Sequence, residues 1–240
     1  MIYFFDGTKE GFLTALVVAF CDENAFLTSK QKQLTLGEDC MFISADAQKA
    51  KKAEARLLQA DKQSMSDLTT LLRSSDPNNA QIAFRYLQLV AKEKKPVRNM
   101  LANGDVVAAT ECMQRVTWEL HRLKGFVRFM ESASGALYAP LSPDHDICDL
   151  LLPHFRARLP EFPFVLHDVS RKKAAVYDGK NSFLAPLDRA DVLLSADERA
   201  WQSLWRKYYQ SVNIPSRERL KQMRGYLPVR YWKFLPEKFP

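Results

Sequence analysis

The sequence predicts an α+β protein in which an antiparallel sheet, built on a β-β-α-β-β unit, packs with several helices. Between residues 121 and 179, four short segments have the apolar alternation or apolar runs that are typical of strands. A segment with helical spacing separates the first two from the last two. Tight-turn residues join the members of each pair, so the paired strands should run antiparallel. The four segments are residues 126–130, 137–141, 164–169 and 174–177.

The turns of this unit contain residues that favour a reversal of the chain. Ser132-Ala133-Ser134-Gly135 follows the first strand, and Ser170-Arg171-Lys172-Lys173 joins the third strand to the fourth. Asp178-Gly179 closes the fourth strand. Each pair of strands is therefore predicted to form a hairpin.

The helix of the unit is predicted to begin at Ser142-Pro143-Asp144. Serine is a good N-cap, proline suits the first helical position, and the helix dipole favours an acid in the first turn. Pro160 and Pro163 end the helix. Its apolar stripe consists of Ile147, Leu150, Leu151, His154 and Phe155.

The N-terminal part of the chain is predicted to be a strand followed mainly by helices. An apolar run at residues 2–5 precedes the turn Asp6-Gly7-Thr8, and an apolar helical stripe follows it. Residues 22–40 are polar without a clear period and are predicted to be a loop, and a second strand is expected at residues 41–44. Further helices are expected at residues 47–60, 66–73 and 80–92.

A long helix is predicted to open at Asn103-Gly104-Asp105 and to end at the first hairpin. Apolar residues recur along it at spacings of three and four, which indicates one continuous buried seam. The seam consists of Val106, Ala109, Met113, Val116, Leu120 and Leu123.

The C-terminal region is predicted to contain two helices and a packed tail. One short strand is expected at residues 182–184. Apolar residues at helical spacing then extend from Leu204 to Val212, Pro215 interrupts the helix, and residues 217–224 form a very basic second helix. Prolines and large apolar residues predict that the segment 227–237 packs against the body of the protein.

Two domain arrangements are compatible with this order of elements. In the first, residues 1–103 form an N-terminal strand and helical region, and residues 104–240 form the β-β-α-β-β core with its basic helical segment. In the second, both parts belong to one compact domain, which a chain of 240 residues with 47% apolar residues can form.

The charge of the chain favours an anionic partner. The formal net charge is +7 and the isoelectric point is about 9.2. Residues 198–240 contain ten Lys or Arg and three Asp or Glu, so this segment accounts for the whole excess. A moderate, localised excess of this kind differs from that of a disordered basic tail.

The sequence favours a cytoplasmic location without a membrane partner. Charged residues at Asp6, Lys9 and Glu10 interrupt the first apolar run, and no apolar stretch is long enough to cross a bilayer. The four cysteines are far apart and form no CxxC pair, which is typical of reduced thiols rather than of a zinc or iron–sulfur site.

Three histidines are the candidates for catalysis. His121, His145 and His167, together with Asp144, offer the imidazole and carboxylate groups that act as general acids and bases. Such residues are more often structural, and His154 on the helical stripe is most simply a core residue. No histidine has HExxH or HxH spacing, so neither a metal nor a cofactor is predicted. The sequence also lacks the motifs of nucleotide hydrolases, dinucleotide enzymes and ordinary serine hydrolases.

Basic residues of the second half are the candidates for phosphate contacts. Aromatic residues accompany them, and nucleic acids offer both phosphates and base faces. The alternative is a solvated helix face beside aromatic core anchors, and for Tyr231, Trp232 and Phe234 we prefer the core interpretation. The candidates are Arg122, Arg128, Arg171, Arg217, Lys221, Arg224, Arg230 and Lys233.

Six segments match a known pattern as an ordered set. Four are YFFDGTKEGFLTA at residues 3–15, HRLKGFVRF at 121–129, LYAPLSPDHDICDLLLPHF at 137–155 and PVRYWKFLPE at 228–237, and the others are residues 167–179 and 204–208. Together they resemble a bacterial family of unknown function that is associated with DNA metabolism or DNA repair. Residues 22–110 carry no motif of this kind.

The resemblance implies a genomic context rather than a mechanism. Members of the family occur beside a radical-SAM protein assigned to DNA repair, and related domains are fused to a uracil-DNA-glycosylase-like domain. No catalytic residues follow from it. In the basic helix before the final motif, relatives tend to have Asn and Gln where this chain has Arg219 and Met223, so a polar contact of that helix is not implied here.

Three functions are compatible with these patterns. The leading one is a protein of DNA metabolism that binds nucleic acid through its basic second half and acts with a partner enzyme of the radical-SAM type. The second is a hydrolase or lyase that acts on damaged nucleic acid through a His/Asp site, which requires the imidazoles to converge. The third is a non-catalytic protein-interaction subunit, which a scattered basic surface and a large exposed apolar patch would favour.

Overall fold

In the computed structural model, which describes residues 1–29, 39–217 and 219–238, the chain divides into two units, Met1–Thr117 and Trp118–Pro240. The boundary lies inside the long helix. The predicted domains, residues 1–103 and 104–240, have their boundary at the start of the same helix, and this division stays a prediction. The mixed α and β content agrees with the predicted fold class.

The first unit contains a parallel sheet with the strand order β2-β1-β3. Its strands are β1 (Ile2–Phe5), β2 (Phe26–Thr28) and β3 (Cys40–Ile43). β1 lies in the centre, and Tyr3, Phe4 and Phe5 are all buried, as expected for a parallel strand covered on both faces. β2 falls within residues 22–40, where the prediction of a loop was wrong; residues 30–38 of that prediction lie outside the described residues.

Four helices pack around this sheet: α1 (Lys9–Val18), α2 (Ala47–Ala60), α3 (Ser64–Leu72) and α4 (Asn79–Glu93). Two of them begin where local side chains satisfy free amides. The Thr8 hydroxyl accepts a hydrogen bond from the Gly11 amide at 2.9 Å, and the Asp46 carboxylate accepts from two amides of the first turn of α2. The core between the helices includes Phe12 and Phe84, both fully buried.

Helix α5 (Gly104–Phe126) begins at the predicted position. The Asn103 side chain accepts hydrogen bonds from the amides of Asp105 and Val106. The buried stripe of the helix differs from the predicted seam, because Met113 and Leu120 are only half-buried. The residues on the stripe are Val106, Ala109, Cys112, Val116, Glu119 and Leu123.

The second unit contains a five-stranded sheet with the order β4-β5-β6-β7-β8. Three of its neighbouring pairs are antiparallel, but β5 and β6 are parallel. The predicted antiparallel hairpins and the mostly antiparallel sheet are confirmed, and the pair at the centre of the sheet is parallel. The reason is the helix between β5 and β6, which acts as a crossover and returns the chain to the same end of the sheet. The strands are β4 (Met130–Glu131), β5 (Leu137–Leu141), β6 (Phe164–Asp168), β7 (Lys173–Tyr177) and β8 (Ser182–Pro186).

Two further predictions within this unit were wrong in their boundaries. Helix α5 continues to Phe126, so the strand predicted at 126–130 is only the short β4. No helix starts at Ser142 either. A 3-10 turn at Asp149–Leu151 leads into α6 (Leu152–Arg158), because hydrogen bonds outside the helix already hold residues 142–148.

The described C-terminal region contains α7 (Glu198–Val212), α8 (Leu220–Tyr226) and three 3-10 turns, at Pro215–Arg217, Val229–Phe234 and Pro236–Lys238. The predicted packing of the tail is confirmed, because Tyr231 and Leu235 are buried. Across the described ranges, no helix combines the length and the apolar character needed to cross a membrane.

The first unit contains a partly buried ion pair whose removal should destabilise it. Asp67 on α3 accepts hydrogen bonds from the Tyr86 hydroxyl at 2.9 Å and from Arg98 Nη2 at 2.7 Å. We expect Asp67→Asn to lower the free energy of unfolding by about 2 kcal/mol, because the charge-assisted bonds are lost while Arg98 stays partly solvated. Urea-induced unfolding measures this change. Glu111→Gln on the exposed face of α5 is the control, and an equal effect of both substitutions would contradict the expectation.

Candidate functional site

A buried carboxylate on helix α5 joins three segments of the second unit through hydrogen bonds. Glu119 is 3% exposed. It accepts hydrogen bonds from the amides of Asp144 and His145 at 2.9 and 2.8 Å, from Arg230 Nη2 at 2.7 Å and from the Tyr231 hydroxyl. Two carboxylate oxygens offer about four acceptor positions, and four donors therefore satisfy Glu119.

The ionisation states in this network follow from its hydrogen bonds. Burial opposes the charge of Glu119, but the bonds from Tyr231, from the two amides and from Arg230 outweigh it, and the pKa of Glu119 lies below its ordinary value of 4.5. Burial and the bond to Glu119 raise the pKa of Tyr231. At neutral pH Glu119 is therefore a carboxylate and Tyr231 a neutral donor.

The Ser142–Cys148 loop, which follows β5, is also held from the β6–β7 turn. Arg171 Nη1 donates to the Pro143 carbonyl at 3.0 Å, and Arg171 Nη2 donates to the Asp144 carbonyl. The Lys173 ammonium pairs with the carboxylate of Asp146. The loop backbone is thus bonded from two directions, which explains why it does not form the predicted helical turn.

The candidate catalytic histidines do not share one set of contacts. His145 is buried and its amide bonds to Glu119, whereas His121 is exposed on α5. His167 has the Tyr138 hydroxyl 2.6 Å from Nδ1 and the Leu187 carbonyl 3.0 Å from Nε2. Because a carbonyl only accepts, Nε2 carries a proton, and in the neutral ring Nδ1 accepts from Tyr138. His167 is thereby fully bonded inside the protein.

Asp144 and the histidines remain candidates with different surroundings. The Asp144 carboxylate is exposed and lies 2.8 Å from Arg230, so it belongs to the rim of the Glu119 network. Among residues 1–29, 39–217 and 219–238, no group of three or more His, Cys, Asp or Glu could hold a metal ion. The roles predicted for His121, His145, His167 and Asp144 stay predictions.

Cys148 closes the loop as a buried thiol. Its Sγ donates to the Leu166 carbonyl at 3.2 Å. Burial raises the pKa of the Cys148 thiol to about 12. Because the thiolate is the nucleophilic form of cysteine, Cys148 at neutral pH is a packing residue.

Three of the predicted phosphate contacts are paired with carboxylates. Arg171 bonds to Asp168 at 3.0 Å, Arg128 to Glu237 at 3.3 Å, and Arg230 to Glu119 and Asp144. Their charges are therefore largely matched within the protein, and their assignment to nucleic-acid binding stays a prediction. Arg122 is half-buried without a carboxylate partner in the described ranges.

The other predicted contacts face solvent. Arg217, Lys221 and Arg224 are exposed, and within the part of the chain that the structure describes, no carboxylate pairs with them. Lys233 is exposed as well, and its ammonium lies 4.9 Å from the centre of the Phe234 ring. Among the predicted contacts, those without a carboxylate partner in the described residues are therefore Arg122, Arg217, Lys221, Arg224 and Lys233.

Helix α7 exposes an apolar face beside a groove. The residues that were predicted to form a helical face are all exposed; they are Leu204, Trp205, Tyr208 and Val212. Trp201 lies on the same helix and is 61% exposed. The groove has a volume of about 470 Å³, and its lining includes Trp201, Trp205, Lys124, Arg128 and Arg158. The sequence indicated the apolar spacing but not that the face would be left open.

Sequence reasoning missed Glu119, Trp201, Lys124 and Arg158. A signal for Glu119 exists, because it stands three residues after Val116 and four before Leu123, on the buried stripe of α5. An acid at such a position must be compensated by donors. The groove residues carry no comparable signal, because they come from separate elements.

Comparison with known proteins gives one family. The family model of a domain of unknown function, DUF4130, matches residues 77–237, which is more than half of the chain. The match includes Glu119, the Ser142–Cys148 loop and the final motif, whereas the motif at residues 3–15 precedes it. No curated protein and no solved structure shows a significant match.

The network around Glu119 predicts a defined loss of stability. We expect Glu119→Gln to lower the free energy of unfolding at pH 7 by about 2–4 kcal/mol, because an amide has one acceptor oxygen and places its NH₂ against donors. The pKa of Glu119 is lower in the folded chain, so its carboxylate stabilises the folded state above pH 4.5, and this contribution is lost as the pH falls through the folded pKa. The difference between the two proteins should therefore shrink below about pH 4.

Urea-induced unfolding between pH 7 and pH 3 measures this difference. Glu161→Gln, at an exposed position, is the matched control and should change the free energy of unfolding by less than about 0.5 kcal/mol at every pH. A Glu119→Gln protein whose deficit equals that of the control, or whose deficit grows in acid, would contradict the role given to the network.

Proposed function

The chain belongs to the DUF4130 family, and on this premise we propose that it is a protein of DNA metabolism that binds nucleic acid through the basic surface of its C-terminal region. The observation that carries the proposal is the exposure of Arg217, Lys221 and Arg224 without a described carboxylate partner. Unmatched cations give a surface a positive potential, which attracts the phosphate backbone whatever its sequence.

We define the basic surface as Arg217, Lys221 and Arg224. It contains fewer cations than the eight that the sequence analysis named as candidates. Arg128, Arg171 and Arg230 are already paired. A paired guanidinium keeps donors for a phosphate, but its charge contributes little to attraction over a distance. We therefore expect the basic surface to make the main phosphate contacts, and Lys233 and Arg122 to make weaker ones.

Aromatic residues accompany these cations. Tyr226 at the end of α8 is 67% exposed, and Tyr208 on α7 is also exposed. Flat aromatic faces stack with unpaired bases, and this combination of stacking and positive charge is typical of proteins that bind single strands. The tyrosines thus favour nucleic acid over a small anion as the ligand.

We further propose that the protein acts with a partner enzyme. The family that its motifs resemble occurs beside a radical-SAM protein, which is therefore the proposed partner. The support is the exposed face of α7, where Leu204 and Val212 remain open to solvent. Exposed apolar patches commonly mark surfaces for another protein. The same face supports the third function that is compatible with the sequence, a non-catalytic protein-interaction subunit. The alternative of a hydrolase or lyase that acts through His121, His145, His167 and Asp144 stays a prediction.

A triple substitution tests nucleic-acid binding. We expect Arg217→Gln, Lys221→Gln and Arg224→Gln together to weaken binding to a 20-base-pair duplex and to make it less sensitive to salt. Removing one phosphate contact should reduce the slope of log K against log salt by about 0.9, so the combined reduction is at most about 2.7. Fluorescence anisotropy of a labelled duplex over a range of KCl concentrations measures both quantities.

A second triple variant provides the matched control. Lys51, Lys52 and Arg56 are exposed on α2, and their change to Gln removes the same charge from the protein. We expect this variant to bind nearly as the wild type does. Equal weakening by the two triple variants, or a wild type that binds neither the duplex nor a single strand of the same length at low salt, would refute binding through the basic surface.

A further inference from the structure

The groove beside α7 has the size of a binding site for a small ligand. Its volume of about 470 Å³ lies within the range that is common for such sites, roughly 300–1,000 Å³. All of its lining residues belong to the second unit, and they include residues of α5, α6 and α7 and of the segments between the elements. The groove therefore brings together side chains that the sequence keeps apart.

Two indole rings line the groove, and they are held differently. Trp205 Nε1 donates to Glu237 at 2.9 Å, and the guanidinium of Arg128 lies 5.8 Å from the centre of the Trp205 ring. Trp205 is therefore fixed at its edge and partly covered. Trp201 is 61% exposed, and no described residue bonds to its indole. Trp201 thus offers an open aromatic face.

The charge of the lining is positive. Lys124 and Arg158 line the groove, and in the described ranges neither is paired with a carboxylate. The carboxylate in the lining, Glu198, already accepts bonds from the Glu131 amide at 3.0 Å and from the Gln202 side chain at 2.8 Å. An anionic ligand would therefore meet two cations without facing an unbonded carboxylate.

The Arg128 side chain adds a positive charge to this lining. Its Nε is buried and has no hydrogen-bond partner in the protein, although its Nη2 atom bonds to Glu237 at 3.3 Å. Because Nε has almost no accessible surface, a ligand in the groove meets the positive charge of the guanidinium rather than this atom. Arg128 thus favours a ligand with acceptor atoms over a purely apolar one.

We propose that this groove binds one unstacked nucleotide of a single-stranded nucleic acid, with the base against Trp201 and the phosphate near Lys124 and Arg158. The inference rests on the proposed nucleic-acid binding and specifies its ligand. An apolar peptide would leave the cations without partners, and a free phosphate would leave the indole face unused. A nucleotide uses both, because it carries an aromatic base and an anionic phosphate within one unit.

Two oligomers of equal charge separate base stacking from attraction between charges. The first is a labelled single-stranded octathymidylate, and the second is a labelled octamer of abasic deoxyribose phosphate. We expect the wild type to bind the first about 10-fold more tightly, within a range of about 5- to 100-fold set by one stacked base. Trp201→Ala should lower this preference by about 5-fold or more, which is the loss of one stacked base, while Tyr208 and Tyr226 remain. Fluorescence anisotropy measures the preference.

Trp118→Ala is the control for removal of a tryptophan. Trp118 is 58% exposed on α5 and does not line the groove, so its variant should keep the preference. Lys124→Gln and Arg158→Gln together should lower the affinity for both octamers by the same factor, about 3- to 10-fold, because these two cations contact only phosphate. Lys180→Gln, an exposed substitution outside the groove, should leave both affinities unchanged. Circular dichroism establishes that each variant is folded.

Equal affinity of the wild type for the two octamers would overturn the inference, as would a Trp201→Ala variant that keeps the preference. Either result would leave the basic surface as the proposed nucleic-acid contact if duplex binding still depends on Arg217, Lys221 and Arg224. A protein that binds neither octamer nor duplex at low salt would refute both the nucleotide site and the nucleic-acid function.

Discussion

The second unit depends on the need to compensate a buried charge. Glu119 is ionised inside the protein, and a carboxylate in such a place is stable only when donors surround it. Its donors come from the Ser142–Cys148 loop and from Arg230 and Tyr231, which are more than 100 residues away along the chain. One side chain of α5 thereby fixes both a loop at the end of β5 and the tail that follows the basic helix α8.

Basic residues of the second unit that look alike in the sequence have different roles in the structure. Arg230 is bonded to carboxylates, and Arg171 to a carboxylate and to backbone carbonyls, so they hold the loop and the tail in place. Arg217, Lys221 and Arg224 have no such partners in the described ranges and are exposed. Cations that are paired with carboxylates therefore have structural roles, and the unpaired ones are the proposed nucleic-acid contacts.

The sequence predicted local structure well and long-range relations poorly. The bounds of α2, the Asn103 cap of α5 and four of the five strands of the second sheet follow from spacing and turn residues, which act over a few positions. The parallel pairing of β5 and β6, the late start of α6 and the short β4 depend on the crossover and on hydrogen bonds from distant residues. Glu119 was missed because glutamate is ordinarily a surface residue. The groove at Trp201 was missed because only the folded chain brings its lining together.

The titration of the Glu119 carboxyl group tests the central claim most directly. Carbon-13 NMR of the side-chain carboxyl carbon, assigned by comparison with a protein that lacks this carboxyl, follows its ionisation as the pH is lowered. The account predicts a midpoint below 4.5, because four donors stabilise the carboxylate more than burial destabilises it. A midpoint at or above 4.5 would contradict it, since burial would then dominate and Glu119 could not hold the loop and the tail through its charge.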